Sequence, residues 1–291
     1  MSTQLRGTGV ALVTPFNPDG SVDFPGLKNL IEHLIAGGVE YLVPMGTTGE
    51  TATLSKEEKK KIFDFVLETN NNRVPLVAGI GGNNTSAVVD QVKNFKSEGF
   101  SAILSVSPYY NKPAQEGIFQ HYKQVAENSP LPIILYNVPG RTGSNMTAQT
   151  TLRLAELENI IGIKEASGNF EQFMEVLKYK PKDFKFISGD DALALPMIAL
   201  GAEGVISVVG NAFPKDYSSM IRKCLEGKFD EARTLHYKLT DIINMLFAEG
   251  SPAGVKAFLK ELAICGSPVR LPLVDVSENL KAKILNAVKN Y

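Results

Sequence analysis

The chain has 291 residues, 44% hydrophobic and 21% charged, enough to bury a full core as one large domain or one large and one small. Its 30 Lys and Arg face 31 Asp and Glu with no long block of one sign, which argues against a nucleic-acid footprint or an acidic tail and points to small-molecule chemistry. Cys224 and Cys265 make no CxxC pair, and His33, His121 and His236 lie far apart without HxxxH spacing. Neither a zinc site nor a disulfide framework is therefore expected. The cysteines read as small buried or inert thiols and His121 as a helix residue.

Near the amino terminus, Arg6 precedes a short apolar stretch, Val10 to Val13, which Pro15 ends before a signal-peptide core could form. No stretch approaches the ~20 apolar residues of a membrane-spanning helix. A soluble, cytoplasmic protein with no membrane partner is the expectation. Along the chain, eight short runs rich in Val, Ile and Leu alternate with longer helix-periodic segments: Gly9–Val13, Tyr41–Pro44, Leu76–Ile80, Ala102–Val106, Ile133–Tyr136, Ile160–Lys164, Phe184–Ile187 and Gly204–Val208. Between the first two, Leu27, Leu30, Ile31, Leu34 and Ile35 mark one helix face, and Ser55-Lys56-Glu57-Glu58 is a capping box that opens the next helix. Strand and helix in alternation predict a parallel sheet, and eight such units predict a closed (β/α)8 TIM barrel, an architecture of ~250 residues. The other arrangement, an open doubly wound sheet, lacks a GxGxxG after the first strand. Past the eighth run, Ala232, Leu235, Leu239, Ile242, Ile243 and Leu246 recur at helix spacing, and the one further apolar run, Val269–Leu273, is interrupted by Pro272. The expected organisation is a catalytic barrel over residues 1–227 and a C-terminal helical extension over 228–291, whose role is not legible.

In such a barrel, chemistry gathers at the carboxyl ends of the strands. After the second strand comes Gly46-Thr47-Thr48-Gly49-Glu50, a glycine-bracketed turn whose hydroxyls and closely spaced N–H groups suit a carboxylate, though an ordinary β-to-α turn has similar residues. After the fourth comes Ser107-Pro108-Tyr109-Tyr110-Asn111-Lys112-Pro113, an aromatic pair that could equally pack at the rim. The fifth strand ends at Tyr136, followed by Asn137-Val138-Pro139-Gly140-Arg141-Thr142-Gly143. The sixth ends at Lys164. A lone lysine there would simply snorkel to solvent. Beside Tyr136 on the adjacent strand, it is placed as a Schiff-base amine with a phenol as proton shuttle.

In their order and placement these residues resemble the dihydrodipicolinate synthase family of pyruvate-dependent class I aldolases. The likeness runs from Thr14-Pro15-Phe16 through the Gly46–Glu50 turn, Tyr136-Asn137-Val138-Pro139 and Gly162-Ile163-Lys164-Glu165 to Ser188-Gly189-Asp190-Asp191. The resemblance implies that Lys164 forms the imine with pyruvate and that Tyr136 moves protons above it. It implies that Thr47 relays protons between Tyr136 and a Tyr110 supplied by a neighbouring subunit, and that Thr47 and Thr48 hold the pyruvate carboxylate. Arg141 would bind the carboxylate of the second substrate, with Gly189 and the Ile206 carbonyl lining the pocket. The implied reaction condenses pyruvate with L-aspartate 4-semialdehyde on the way to diaminopimelate and lysine, with no metal or organic cofactor. The implied assembly is a homo-oligomer, commonly a dimer of dimers. A sister aldolase acting on N-acetylneuraminate or a keto-sugar acid, or a silent barrel that only binds a keto acid, remain alternatives. The Gly-Arg-Thr-Gly loop and Thr47 favour the synthase, and none of Lys164, Tyr136 and Thr47 is missing.

The same resemblance implies an effector cleft for L-lysine at a subunit interface, at Thr51, Ala52, Lys56, Lys59, Asn83, Ala87 and Tyr109. Asn83 and Tyr109 match the lysine-sensitive pattern. Ala87 stands where a carboxylate would pair with the effector's ammonium, and Lys56 and Lys59 stand where histidines would be, so weak or absent inhibition by lysine is expected.

Overall fold

The computed structural model describes residues 5–291. Its parallel strands, β1 (Gly7–Ala11), β2 (Tyr41–Val43), β3 (Val77–Gly79), β4 (Ala102–Val106), β5 (Ile133–Asn137), β6 (Ile160–Glu165), β7 (Lys185–Ser188) and β8 (Gly204–Ser207), follow one another around a sheet in the order β2-β1-β8-β7-β6-β5-β4-β3. Among the described residues a single parallel bridge, Leu42 to Leu76, joins the two ends and closes the ring. The expected (β/α)8 barrel is the fold found. Helices return the chain between strands: α1 (Phe24–Ala36), α2 (Lys56–Asn70), α3 (Thr85–Lys93), α4 (Gln115–Asn128), the short α5 (Pro139–Thr142) with α6 (Ala148–Ala155), α7 (Phe170–Tyr179), α8 (Ala194–Ala199) and α9 (Pro214–Leu225). Three more follow: α10 (Phe229–Phe247), α11 (Ala253–Glu261) and α12 (Glu278–Lys289).

Local sequence explains where these elements begin. Asp23 caps α1, its carboxylate accepting the Gly26 N–H at 2.9 Å, and Pro25 supplies a first-turn residue that needs no hydrogen bond. Ser55 and Glu58 make both arms of the capping box on α2, at 3.1 and 2.9 Å. Leu27, Leu30, Ile31 and Leu34 form the buried face of α1, as their spacing predicts.

Apolar side chains separate into two layers. Inside the barrel lie Ala11, Tyr41, Val43, Val77, Ala102, Leu104, Ile134, Tyr136, Ile187 and Ile206. Between barrel and helices lies a second, larger cluster that includes Ala232, Leu239, Ile242, Ile243 and Leu246 of α10 and Phe258 of α11. The C-terminal helices therefore share the barrel's outer core. At the carboxyl end of the barrel Asn211 ties β1 to the segment after β8, donating to the Ala11 carbonyl at 2.9 Å and accepting the Val13 N–H at 3.2 Å. Among the described residues no helix is long and apolar enough to cross a membrane.

Candidate active site

Lys164 and Tyr136 are brought together. They are register partners on β5 and β6, and the Lys164 ammonium lies 4.4 Å from the centroid of the Tyr136 ring. Both are buried, at 5% and 6% exposure, where the apolar barrel interior opens into the loops. Among the described residues no hydrogen bond or ion pair engages the Lys164 nitrogen, so the tip is free of the usual partners of a buried cation. Gly189, just past β7, leaves room beside it: a Cβ there would stand 3.1 Å from Lys164 Cε and 2.7 Å from Ala166 Cβ. Ile206 on β8 belongs to the same interior layer as Tyr136.

The Gly46–Glu50 turn is a single 3-10 turn over Thr47–Gly49. Its own hydrogen bonds begin with the Gly49 N–H to the Gly46 carbonyl, at 3.0 Å, so the amides of Thr47 and Thr48 precede the bonded ladder and remain available to an acceptor. Thr48 is buried and Thr47 exposed. The Thr14 hydroxyl holds the turn to the segment that follows β1 by donating to the Gly49 carbonyl at 2.8 Å. Among the described residues no hydrogen bond joins Thr47 to Tyr136 or either of them to Tyr110. Tyr110 is 84% exposed, with its backbone at φ 77°, whereas Lys164 is buried.

Arg141 is exposed on α5, which Gly143 ends at φ 71°, in the left-handed region that favours glycine. The ends of the loop carrying it are fixed by a buried polar network. Asn137 accepts the Met146 N–H at 3.0 Å and donates to Asn145 at 2.8 Å and to both oxygens of Glu165 at 3.1 and 3.0 Å. Glu165 also accepts the Ser167 N–H and the Gln172 amide. Burial pushes the Glu165 carboxyl above the usual carboxylate range, while these donors pull it back. Asp191 plays a comparable part after β7: its carboxylate accepts the Val208 and Val209 N–H groups at 3.1 and 2.8 Å, again with burial raising its pKa.

Of the residues of the expected effector cleft, the structure links Asn83 and Tyr109, through a 3.4 Å hydrogen bond to the Tyr109 carbonyl. Thr51 and Lys59 are half-buried, and Ala52, Lys56 and Ala87 are exposed. Burial lowers the Lys59 pKa.

Sequence reasoning missed Lys256, Arg270 and the anchoring role of Glu50. Lys256, on α11, is fully buried and paired with Glu50, the last residue of the Gly46–Glu50 turn. Burial pulls its pKa down while Glu50 holds it up. Every residue from Ala253 to Leu259 is buried; a lysine within a run this apolar was the available signal, since a helix hydrophobic all round is a core helix.

The chain matches the model of the dihydrodipicolinate synthetase family over residues 4–291. It belongs to this family. The 4-hydroxy-tetrahydrodipicolinate synthase of Flavobacterium psychrophilum is 57% identical over 279 residues, spanning 96% of this chain and 95% of that one. The crystal structure of dihydrodipicolinate synthase from Aquifex aeolicus superposes with a TM-score of 0.95 at 41% identity, over 99% of this chain and 98% of the other. The synthase from Acinetobacter baumannii, solved in complex with pyruvate, gives 0.95 at 40% identity over 98% of each chain. The family expected from the Lys164, Tyr136 and Gly46–Glu50 motifs is the one found.

Proposed function

We propose the residue roles by which this chain, an enzyme of the dihydrodipicolinate synthetase family, condenses pyruvate with L-aspartate 4-semialdehyde to 4-hydroxy-tetrahydrodipicolinate in lysine biosynthesis. The observation that carries them is the Lys164–Tyr136 pair: a buried amine free of an anion, stacked against a phenol ring, at the mouth of a barrel. In its unprotonated form the Lys164 nitrogen attacks the ketone carbon of pyruvate, and Tyr136 passes the protons that let the carbinolamine expel water and become an imine. The protonated imine acidifies the pyruvate methyl, so loss of a proton gives an enamine whose carbon adds to the aldehyde carbon of the second substrate. The amino group of that substrate then attacks the imine carbon, closes the ring and expels Lys164 as the free amine. The imine is the electron sink, and neither a metal nor an organic cofactor enters the scheme.

Thr47 and Thr48 receive the pyruvate carboxylate through the turn amides and hydroxyls, and Arg141 receives the carboxylate of the semialdehyde, which suits a planar guanidinium fork. Gly189 and the Ile206 carbonyl complete the wall. Thr47 relays protons between Tyr136 and a Tyr110 from a neighbouring copy. The outward exposure of Tyr110 supports this reading, which makes a homo-oligomer, with two chains as its smallest complete unit, the working form. The same reading divides the chain into a catalytic barrel, 1–227, and a helical unit, 228–291, and assigns the enzyme to the cytoplasm.

Incubation with pyruvate and borohydride tests the core of the scheme. Reduction of the imine is expected to leave a pyruvate-derived adduct that maps to Lys164, and an adduct elsewhere or none would overturn it. A coupled assay with pyruvate and aspartate semialdehyde, run beside one with N-acetylneuraminate, is expected to show turnover only in the first.

A further inference from the structure

Glu50 ends the turn assigned to the pyruvate carboxylate, with its backbone at φ 53° and ψ 38°. This left-handed conformation disfavours a residue with a Cβ. Its N–H bonds the Thr47 carbonyl at 3.2 Å and its carbonyl accepts the Thr53 N–H at 3.1 Å. The direction of the Glu50 side chain and the orientation of the Thr47 and Thr48 amides are thus coupled through a few rigid bonds. Among the described residues, the hydrogen-bond partners of that side chain all come from the C-terminal part of the chain. One oxygen pairs with the Lys256 ammonium, and the other accepts the Arg270 N–H at 3.0 Å. Lys256 also donates to the Pro268 carbonyl at 2.8 Å. The Arg270 guanidinium in turn grips Glu58 at 2.5 and 3.0 Å, the Gly20 carbonyl at 2.7 and 2.9 Å and the Thr53 carbonyl at 2.9 Å. Both cations lie near one ring, Phe16, at 4.2 and 4.4 Å from its centroid. Side-chain exposure is 0% for Lys256 and 1% for Glu50.

An ion pair sealed from water gains little stability over well-packed apolar residues, so what this one adds is a fixed geometry. We propose that Lys256, with Glu50 and Arg270, is a positioning unit through which the C-terminal helices set the turn that receives the carboxylate of the keto acid. Lys256 is a positioning residue: its partners are Glu50, the Pro268 carbonyl and Phe16, none of which is given a reacting atom. The inference rests on the proposed role of Thr47 and Thr48.

The test compares full-length parent, Lys256→Met, Glu50→Gln and the double variant carrying both changes. The readouts are the pyruvate concentration that half-saturates borohydride trapping at Lys164, the KM for each substrate, kcat, and the thermal midpoint. Lys256→Met is expected to raise the half-saturating pyruvate concentration about tenfold, the factor that loss of a charge-assisted hydrogen bond typically gives. The semialdehyde KM should change less than about twofold, since Arg141 sits on a separately anchored loop. The double variant removes both charges while the new amide oxygen still accepts the Arg270 N–H. It should therefore fold even where Lys256→Met does not, and it should show the same weakened pyruvate binding. Half-saturation within about twofold of the parent in a folded double variant, with only the thermal midpoint moved, would mark the pair as structural alone and overturn the proposal. Absence of trapping in the parent would instead remove the functional reading beneath it.

Discussion

Lys164 and Lys256 are the buried lysines among the described residues, and their surroundings differ in every respect that matters to a charge. Lys164 lies one residue before the end of its strand, with an aromatic ring as its near neighbour and, among the described residues, no anion. Lys256 sits on a helix outside the barrel, with a carboxylate, a carbonyl oxygen and a ring around its nitrogen. Burying a cation is costly unless its partners replace water. Where they do, the lysine is an anchor. Where they do not, as at Lys164, the amine is left without a partner among the described residues, as the proposed nucleophile would be.

The largest effects expected from this contrast are on activity. Lys164→Met should abolish trapping and lower turnover by ~10^4 or more, as removal of a nucleophile does, while the denaturation midpoint stays level or rises. Lys256→Met should instead lower stability by about 3–5 kcal/mol, because it leaves the Glu50 charge buried and unpaired. Urea denaturation of both variants beside the coupled assay measures the pair. A stable Lys256→Met protein together with a destabilised Lys164→Met protein would reverse the assignment.

A smaller effect would separate the two proposed carboxylate sites. Arg141→Ala should weaken use of the semialdehyde by about tenfold to a hundredfold, the value of a charge-assisted contact, with pyruvate trapping unchanged. Equal loss in both would place Arg141 on pyruvate instead.

The anchor region also has a pH signature. The Arg270 guanidinium hydrogen-bonded to Glu58 holds that carboxyl down, from the ordinary 4.5 to about 2. A group whose folded pKa is depressed contributes stability above its unfolded pKa and loses it as pH falls through the folded one. Stability from this pair should therefore be complete above about 4.5 and decline toward 2. Glu58→Gln should flatten that part of the acid limb in a denaturation series, and an unchanged limb would show that the pair adds nothing.

The smallest effect is expected from free L-lysine. With Ala87 offering no carboxylate and Lys56 and Lys59 adding like charge, repulsion of up to about 4 kcal/mol before screening opposes a cationic ligand. Glu57, on the same turn, offsets part of it, while Glu58 is already paired with Arg270. Activity should hold in millimolar lysine; half-inhibition at sub-millimolar lysine would overturn this and require another carboxylate near Lys56 and Lys59.

Legibility in the sequence followed how local each cause was. Strand β4 coincides with its apolar run, Ala102–Val106, because burial on both faces leaves nothing else such a run can do. Strand β1 begins at Gly7 and ends at Ala11, two residues ahead of the run Gly9–Val13. Leu12 and Val13 pack in the outer core, and the Val13 N–H goes to Asn211 rather than to a strand. Strand β2 stops at Val43 because Pro44 has no N–H to offer. Lys164 and Tyr136 were readable since each closes an apolar run on neighbouring strands. The Glu50–Lys256 pair was not, because its partners lie 206 positions apart and neither residue's immediate neighbours carry a sign of the other.

The closure of the ring has a consequence for motion. Strands β2 and β3 are three residues each and meet through one bridge, helped by the Leu42 N–H to the Pro75 carbonyl at 3.0 Å and the Gly79 N–H to the Pro44 carbonyl at 2.9 Å. Approach there is so close that a Cβ on Gly79 would stand 2.1 Å from the Met45 carbonyl oxygen. Strand pairs elsewhere in the barrel are held by ladders of two or more register partners, so local opening is cheapest at this seam. In hydrogen exchange the Leu42 and Gly79 amides should be the first of the barrel strands to take up deuterium. Because β2 runs directly into the Gly46–Glu50 turn, pyruvate captured by that turn should slow both.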